Sequence, residues 1–146
     1  MTIECDSDKM IQVVRNLVDN AIKFSPARAP IRIGLGWESQ IPESVPVLRK
    51  SCVSCPAGRF LLLSVRDQGP GVINEEKERS FDKFRQSERP PNRAGGGVGL
   101  GLAIARHIVE AHAGAIWVAD HAGGGSDFQV LICCSRGFSP PFARSA

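Results

Sequence analysis

No run of apolar residues in this chain approaches the roughly 20 needed to span a bilayer. The start, Met1-Thr2-Ile3-Glu4-Cys5, also lacks the basic-then-apolar pattern of an export signal. A cytoplasmic domain is therefore expected, with any membrane anchor belonging to a longer protein. Excess charge is missing too. The net charge is +3 and the Lys and Arg residues are scattered, so no nucleic-acid partner is expected, and the domain alone is read as a monomer. No Gly-Lys pair occurs, which removes the P-loop, and no Gly-x-Gly-x-x-Gly occurs, which removes the dinucleotide fingerprint. Metal-ligand pairs are equally short. Cys52-Val53-Ser54-Cys55 has the spacing of half a zinc site without the second half, and Cys133-Cys134 would point to opposite faces of a strand. Five cysteines without an export signal predict reduced thiols, a redox role for Cys52 and Cys55 being the minority alternative. What remains is ordinary for one globular domain: 42% hydrophobic and 23% charged residues over 146 positions.

Hydrophobic spacing supplies the elements. Ile3 to Cys5 reads as the tail of a strand. Asp6 or Ser7 caps a helix that Pro26 stops, with Met10, Val14, Leu17, Ala21 and Phe24 expected to face a sheet. Ile31 to Trp37 alternates, as a strand with one buried face does. Glu38 to Gly58 carries three prolines and reads as a long loop, and Phe60 to Arg66 as a second strand. A short helix near Glu75 to Ser80 follows. The next helix spans Leu100 to His112 with Ala103, Ile104, Ile108 and Ala111 on its apolar stripe, ended by Gly114. Ala115 to Ala119 and Asp127 to Cys133 pair across a Gly123-Gly124-Gly125 turn. This order implies a two-layer α/β sandwich with a mixed, mostly antiparallel sheet over residues 1–134, followed by a flexible tail over 135–146.

Three segments carry the chemistry. On the first helix Asn16, Asn20 and Lys23 share one face. Asn is a mediocre helix former, and an amide oxygen suits Mg²⁺ when phosphates bring the charge, although a solvated helix face would look the same. Asp67 leaves its strand into Gln68-Gly69-Pro70-Gly71. A carboxylate there can accept from an exocyclic amine such as adenine N6, although a plain turn has the same composition. Gly95 to Leu102 places five glycines at a helix start, whose free N–H groups attract phosphate. A flexible linker explains poorly why glycine recurs at Gly99 and Gly101, inside that start.

In this order the segments resemble the ATP-binding domain of sensor histidine kinases. Asn16 to Phe24 is similar to the N box, Asp67 to Gly71 to the first glycine box, and Phe81-Asp82-Lys83-Phe84-Arg85-Gln86 to the F box. Gly97 to Ile104 is similar to the second glycine box, and Gly125 to Phe128 to the closing strand pair. The resemblance implies a Bergerat-type sandwich holding Mg-ATP under a lid. By it, Asn20 coordinates Mg²⁺, Asn16 and Lys23 face the phosphates, and Phe24 borders the base. Asp67 binds adenine N6, with Gly69 and Gly71 shaping the pocket. Gly97, Gly99 and Gly101 close on the triphosphate, Leu102 packs nearby, and Ser126 adds a polar contact. Phe81 and Phe84 anchor the lid, and Lys83 is a weaker candidate for the γ-phosphate.

The departures matter as well. Family members phosphorylate a histidine followed by an acid on a separate dimerising helix pair. His107, His112 and His121 precede Ile108, Ala113 and Ala122, so all three read as surface or packing residues and the catalytic acceptor lies outside this chain. The helix and strand expected ahead of the N box are missing or short, as in a fragment. Val98 stands where Thr or Ser is more usual, a phosphate hydrogen bond worth about 1 kcal/mol. The implied function is transfer of the ATP γ-phosphoryl to a histidine of a dimerisation domain, with a response regulator downstream. A serine kinase of the anti-sigma type and a degenerate nucleotide sensor use the same cradle and remain as alternatives.

Overall fold

The computed structural model describes residues 3–46, 55, 58–84 and 99–133. Helix α1 spans Ser7–Phe24, opened by the Asp6 carboxylate accepting from the Lys9 N–H at 3.1 Å. Strands β1 (Arg32–Glu38) and β2 (Phe60–Arg66) follow, then a one-turn helix α2 (Asn74–Lys77) and a 3₁₀ turn (Arg79–Phe81) where a single short helix is expected. Helix α3 (Gly101–Ala111) leads into β3 (Ala115–Asp120) and β4 (Ser126–Cys133). The strands form one sheet in the order β1-β2-β4-β3, and among the described residues every pairing is antiparallel. Ile3 to Cys5 is not a strand in the structure, because none of the described strands pairs with it to complete a ladder.

Alternation along the strands separates two apolar layers. Leu63, Val65, Ile116, Val118, Phe128, Val130 and Ile132 face the helices and meet Val13, Leu17 and Ala21 of α1 and Ala105, Ile108 and Val109 of α3. The buried line of α1 is thus Val13-Leu17-Ala21, with Met10 and Val14 flanking it and Phe24 half-buried at its end. On α3 the buried face is rotated from the expected stripe, and Ile104 is exposed. A second cluster lies on the outer face, where Phe60, Ala115, Trp117, Leu131 and Cys133 are covered by Val45 and Ile41 of the segment after β1.

Three expectations change. Strand β1 buries no apolar face. Ile33, Leu35 and Trp37 are 57%, 68% and 50% exposed, because they pair with Val65, Leu63 and Leu61 at the sheet edge while α1 packs on β2 and α3 on β3. Ala113 (φ 54°), not Gly114, takes the left-handed conformation that ends α3. Gly114 is needed because a side chain there would run into the Leu131 carbonyl. The thiols are not all reduced: Cys55 and Cys133 form a disulfide with their Cα atoms 5.2 Å apart. Residue counting misses this pair, since only the fold carries the chain after β1 across to the last residue of β4. Cys5 is a free thiol. Cys52, Cys134 and the expected tail at 135–146 lie outside the described residues.

Candidate nucleotide site

Asp67 follows the last residue of β2 and is 1% exposed. Its backbone N–H donates to the Ser126 carbonyl at 2.9 Å, which joins the exit of β2 to the start of β4. One carboxylate oxygen, Oδ1, accepts from the Gly69 N–H at 2.8 Å and from the Ser126 N–H at 3.1 Å. Two short backbone bonds therefore fix the carboxylate plane. Among the described residues none donates to Oδ2, so the second oxygen retains its accepting capacity for a ligand.

The surrounding turns fit closely against this carboxylate. A Cβ at Gly69 would come within 2.9 Å of the Phe24 carbonyl and 3.1 Å of Asp67 Oδ1. Gly71 (φ 77°) sits against the Gly125 carbonyl, and Gly125 (φ 82°) against the Asp67 carbonyl, where any side chain would collide. Glycine is thus required here by contact as well as by backbone angle. The end of α1 is tied to the same turn, for Ser25 is buried and its Oγ accepts from the Gln68 N–H at 3.4 Å. His121 completes the frame. Its Nε2 lies 3.1 Å from the Asp67 carbonyl, and its Nδ1 accepts from the Gly123 N–H at 3.3 Å. Those two partners select the tautomer with the proton on Nε2.

A second group of residues lies about 12 Å away along α1, at a rise of about 1.5 Å per residue. There the Asn16 amide donates to the Gly101 carbonyl at 2.9 Å, pinning α1 to the start of α3. Among the described residues no side chain caps that start, which leaves its first N–H groups available to an anion. Asn20 lies between the two groups on the same face of α1, half-buried. Lys23 sits over the Phe24 ring, its Nζ 5.3 Å from the ring centre. Gly99 has φ 74°, and its carbonyl accepts from the Phe84 N–H at 3.0 Å. Gly97 and Val98 lie outside the described residues.

The structure therefore brings Phe24, Asp67, Gly69, Gly71 and Ser126 together, and separately Asn16, Gly99 and Gly101, with Leu102 packed against the core beneath. Ser126 contributes backbone atoms to Asp67. Lys83 is exposed. Phe81 packs edge-on against Phe128 with ring centres 6.1 Å apart, whereas Phe84 is 70% exposed and meets Gly99 through its backbone N–H. Ser25 and His121 are members of the frame that sequence reasoning passed over. A serine at a helix end and a histidine before a glycine turn carry no signal of their own.

Residues 5–135 match the family described as histidine kinase-, DNA gyrase B- and HSP90-like ATPase. The chain belongs to this ATPase family. Its likeness within the family is to histidine kinases. It is 32% identical over 130 residues to the sensor histidine kinase WalK of Bacillus subtilis, a match covering 89% of this chain and 18% of WalK. The catalytic domain of the histidine kinase ThkA superposes with a TM-score of 0.63 at 28% identity, covering 89% of this chain and 70% of that one. Full-length ShkA in complex with AMPPNP superposes with a TM-score of 0.66 at 26% identity, covering 95% of this chain and 24% of ShkA. The fold is thus that of a histidine-kinase ATP-binding catalytic domain, and the chain spans less than a fifth of its WalK relative.

Proposed function

We propose that this domain binds Mg-ATP between α1, the Asp67 turn and the start of α3, and presents the γ-phosphoryl to a histidine on a separate dimerisation domain. The observation that carries the reading is the division of labour on Asp67. Oδ1 is consumed by two backbone donors, which leaves Oδ2 as a rigid acceptor for the adenine N6 amine and a poor match for the carbonyl of guanine. Gly69 and Gly71 admit the flat ring, and Phe24 borders it.

The phosphates would run along α1 towards the open start of α3, where Gly97, Gly99 and Gly101 supply backbone N–H groups. Lys23 would approach as a point charge, Lys83 would stand by the γ-phosphate, and Asn16 would hold the two helices in register. Among the described residues no three His, Cys, Asp or Glu side chains could hold a metal by themselves. A divalent ion fits here only with phosphate oxygens completing its shell, and the neutral Asn20 amide suits that role. When bound, Mg²⁺ neutralises phosphate charge. The chain's own contribution is to orient and to screen charge, the largest share of phosphoryl-transfer catalysis. It offers no catalytic nucleophile.

In the longer protein the acceptor domain would pass the phosphoryl group to a response regulator. Among the described residues no helix is long and apolar enough to cross a membrane, in keeping with a catalytic domain placed on the cytoplasmic side. The test is to mix the chain with a histidine-bearing dimerisation domain and γ-labelled ATP. Label that is acid-labile and base-stable identifies a phosphohistidine and supports the reading. Acid-stable label on a serine would assign the serine-kinase alternative, and nucleotide binding without any transfer would assign the sensor.

A further inference from the structure

Ile41, Val45 and Cys55, from the connection between β1 and β2, lie on the sheet face opposite the helices, far from the nucleotide cradle. Val45 is buried there and Ile41 packs beside it, over Phe60, Ala115, Trp117 and Leu131. The covering is fastened covalently by the bond from Cys55 to Cys133, which are 78 residues apart in the chain. Beneath it Trp117 is 2% exposed, and among the described residues its indole N–H has no hydrogen-bond partner. A buried unpartnered donor disfavours the closed arrangement, because water would satisfy it once the cover loosened. The two sulfurs also differ in access. Cys55 is half-buried, with its Sγ 3.1 Å from the Arg59 carbonyl, whereas Cys133 is 7% exposed. Thiol–disulfide exchange requires approach to one sulfur only.

From these observations we infer that Cys55 and Cys133 form a reversible redox modification site, a strap that low-molecular-weight thiols open and their disulfides close, and that opening it uncovers Trp117. The thiolate of the small thiol attacks Cys55 Sγ. The bond to Cys133 breaks, and Cys133 leaves as a thiolate that takes up a proton. A second small thiol attacks the resulting mixed disulfide at the small-thiol sulfur and frees Cys55. Two electrons and two protons pass to the protein, and two thiol molecules leave as one symmetrical disulfide; closure is the reverse. Cys5 does not compete, since burial, and then the adjacent Asp6 carboxylate, push its thiol up and keep it protonated. The strap closes at the Phe60–Cys133 end of the sheet, while the nucleotide cradle lies at the Arg66–Asp127 end, about 20 Å away along the strands. Switching is therefore local to the outer face.

The experiment uses the full chain carrying Trp37→Phe, which leaves Trp117 as the sole tryptophan. Peptide mapping by mass spectrometry under oxidising conditions should recover the Cys55–Cys133 link. Reduction with dithiothreitol should shift Trp117 emission to the red and lower the melting temperature by about 10 °C. Oxidised glutathione should restore both, and far-UV circular dichroism should not change. Adding Cys55→Ser should place emission and melting at the reduced values whatever the redox condition. The inference is overturned if mapping pairs Cys55 with Cys52, if the thiols hold zinc instead, if Trp117 emission ignores reduction, or if reduction removes the helical signal. None of these readouts depends on nucleotide binding, so failure here and failure of the kinase reading are separable.

Discussion

Asp67→Asn exchanges one carboxylate oxygen for an amide N–H₂ and removes a charge while keeping the shape of the side chain. The amide can turn only one way. Its oxygen must stay where Oδ1 accepts from the Gly69 and Ser126 N–H groups at 2.8 and 3.1 Å. The flipped amide would face two backbone donors with a third, orphaning each at a cost of about 1–3 kcal/mol. The N–H₂ therefore occupies the position of Oδ2, and a purine with an exocyclic amine meets a donor in place of an acceptor. Losing a hydrogen bond to a charged acceptor costs about 1.5–3 kcal/mol, equivalent to roughly 10- to 150-fold in Kd. Guanine presents a carbonyl at that edge, so the same change favours it. Calorimetric titration with Mg-ADP and Mg-GDP should show ADP weakened within that range and the preference for ADP over GDP reduced by at least as much. A folded Asp67→Asn protein that bound ADP within about twofold of wild type would refute the assignment of Oδ2 to the base.

Gly125→Ala forces a Cβ into the Asp67 carbonyl at φ 82°, and urea unfolding should record a loss of about 2–4 kcal/mol together with weakened ADP binding. Asn16→Ala removes the 2.9 Å tie to the Gly101 carbonyl. Its expected cost is about 1 kcal/mol, seen as roughly fivefold weaker AMPPNP binding with adenosine binding unchanged, and equal losses for both ligands would show that the tie does not serve the phosphate end. His112 is buried, its Nδ1 2.7 Å from the Ile108 carbonyl and its Nε2 accepting from the Asp6 N–H at 3.2 Å. His112→Leu should therefore cost about 2–4 kcal/mol in chemical denaturation and leave ADP affinity intact, which a marked loss of affinity would contradict.

Much of the fold was legible because it depends on local spacing. The bounds of α1, β2, β3 and β4 follow from the Asp6 cap, the Pro26 stop and alternation broken by glycine turns, and the structure reproduces them within a residue or two. The glycines at 99 and 101 stood out because they give up propensity that a helix would keep, whereas the Asp67 turn, whose composition is that of any turn, stood out only through its place in the order of the family's motifs. Ser25 and His121 did not, since their roles are contacts with Gln68 and Asp67 made across 43 and 54 residues of chain.

The sequence alone determined the order of α1, the four strands and α3, and the family, which rest on periodicity and on residues close together in the chain. Only the tertiary structure decided which layers are covered. It left Ile33, Leu35 and Trp37 exposed at the sheet edge, while the helices pack on β2 and β3. It laid Val45 over Trp117, and it joined Cys55 to Cys133 in a chain whose composition reads as reduced. It also assigned the two oxygens of Asp67 to different tasks. Alternation says which way a side chain points, whereas burial, pairing and accepting capacity depend on what the rest of the chain brings to that point.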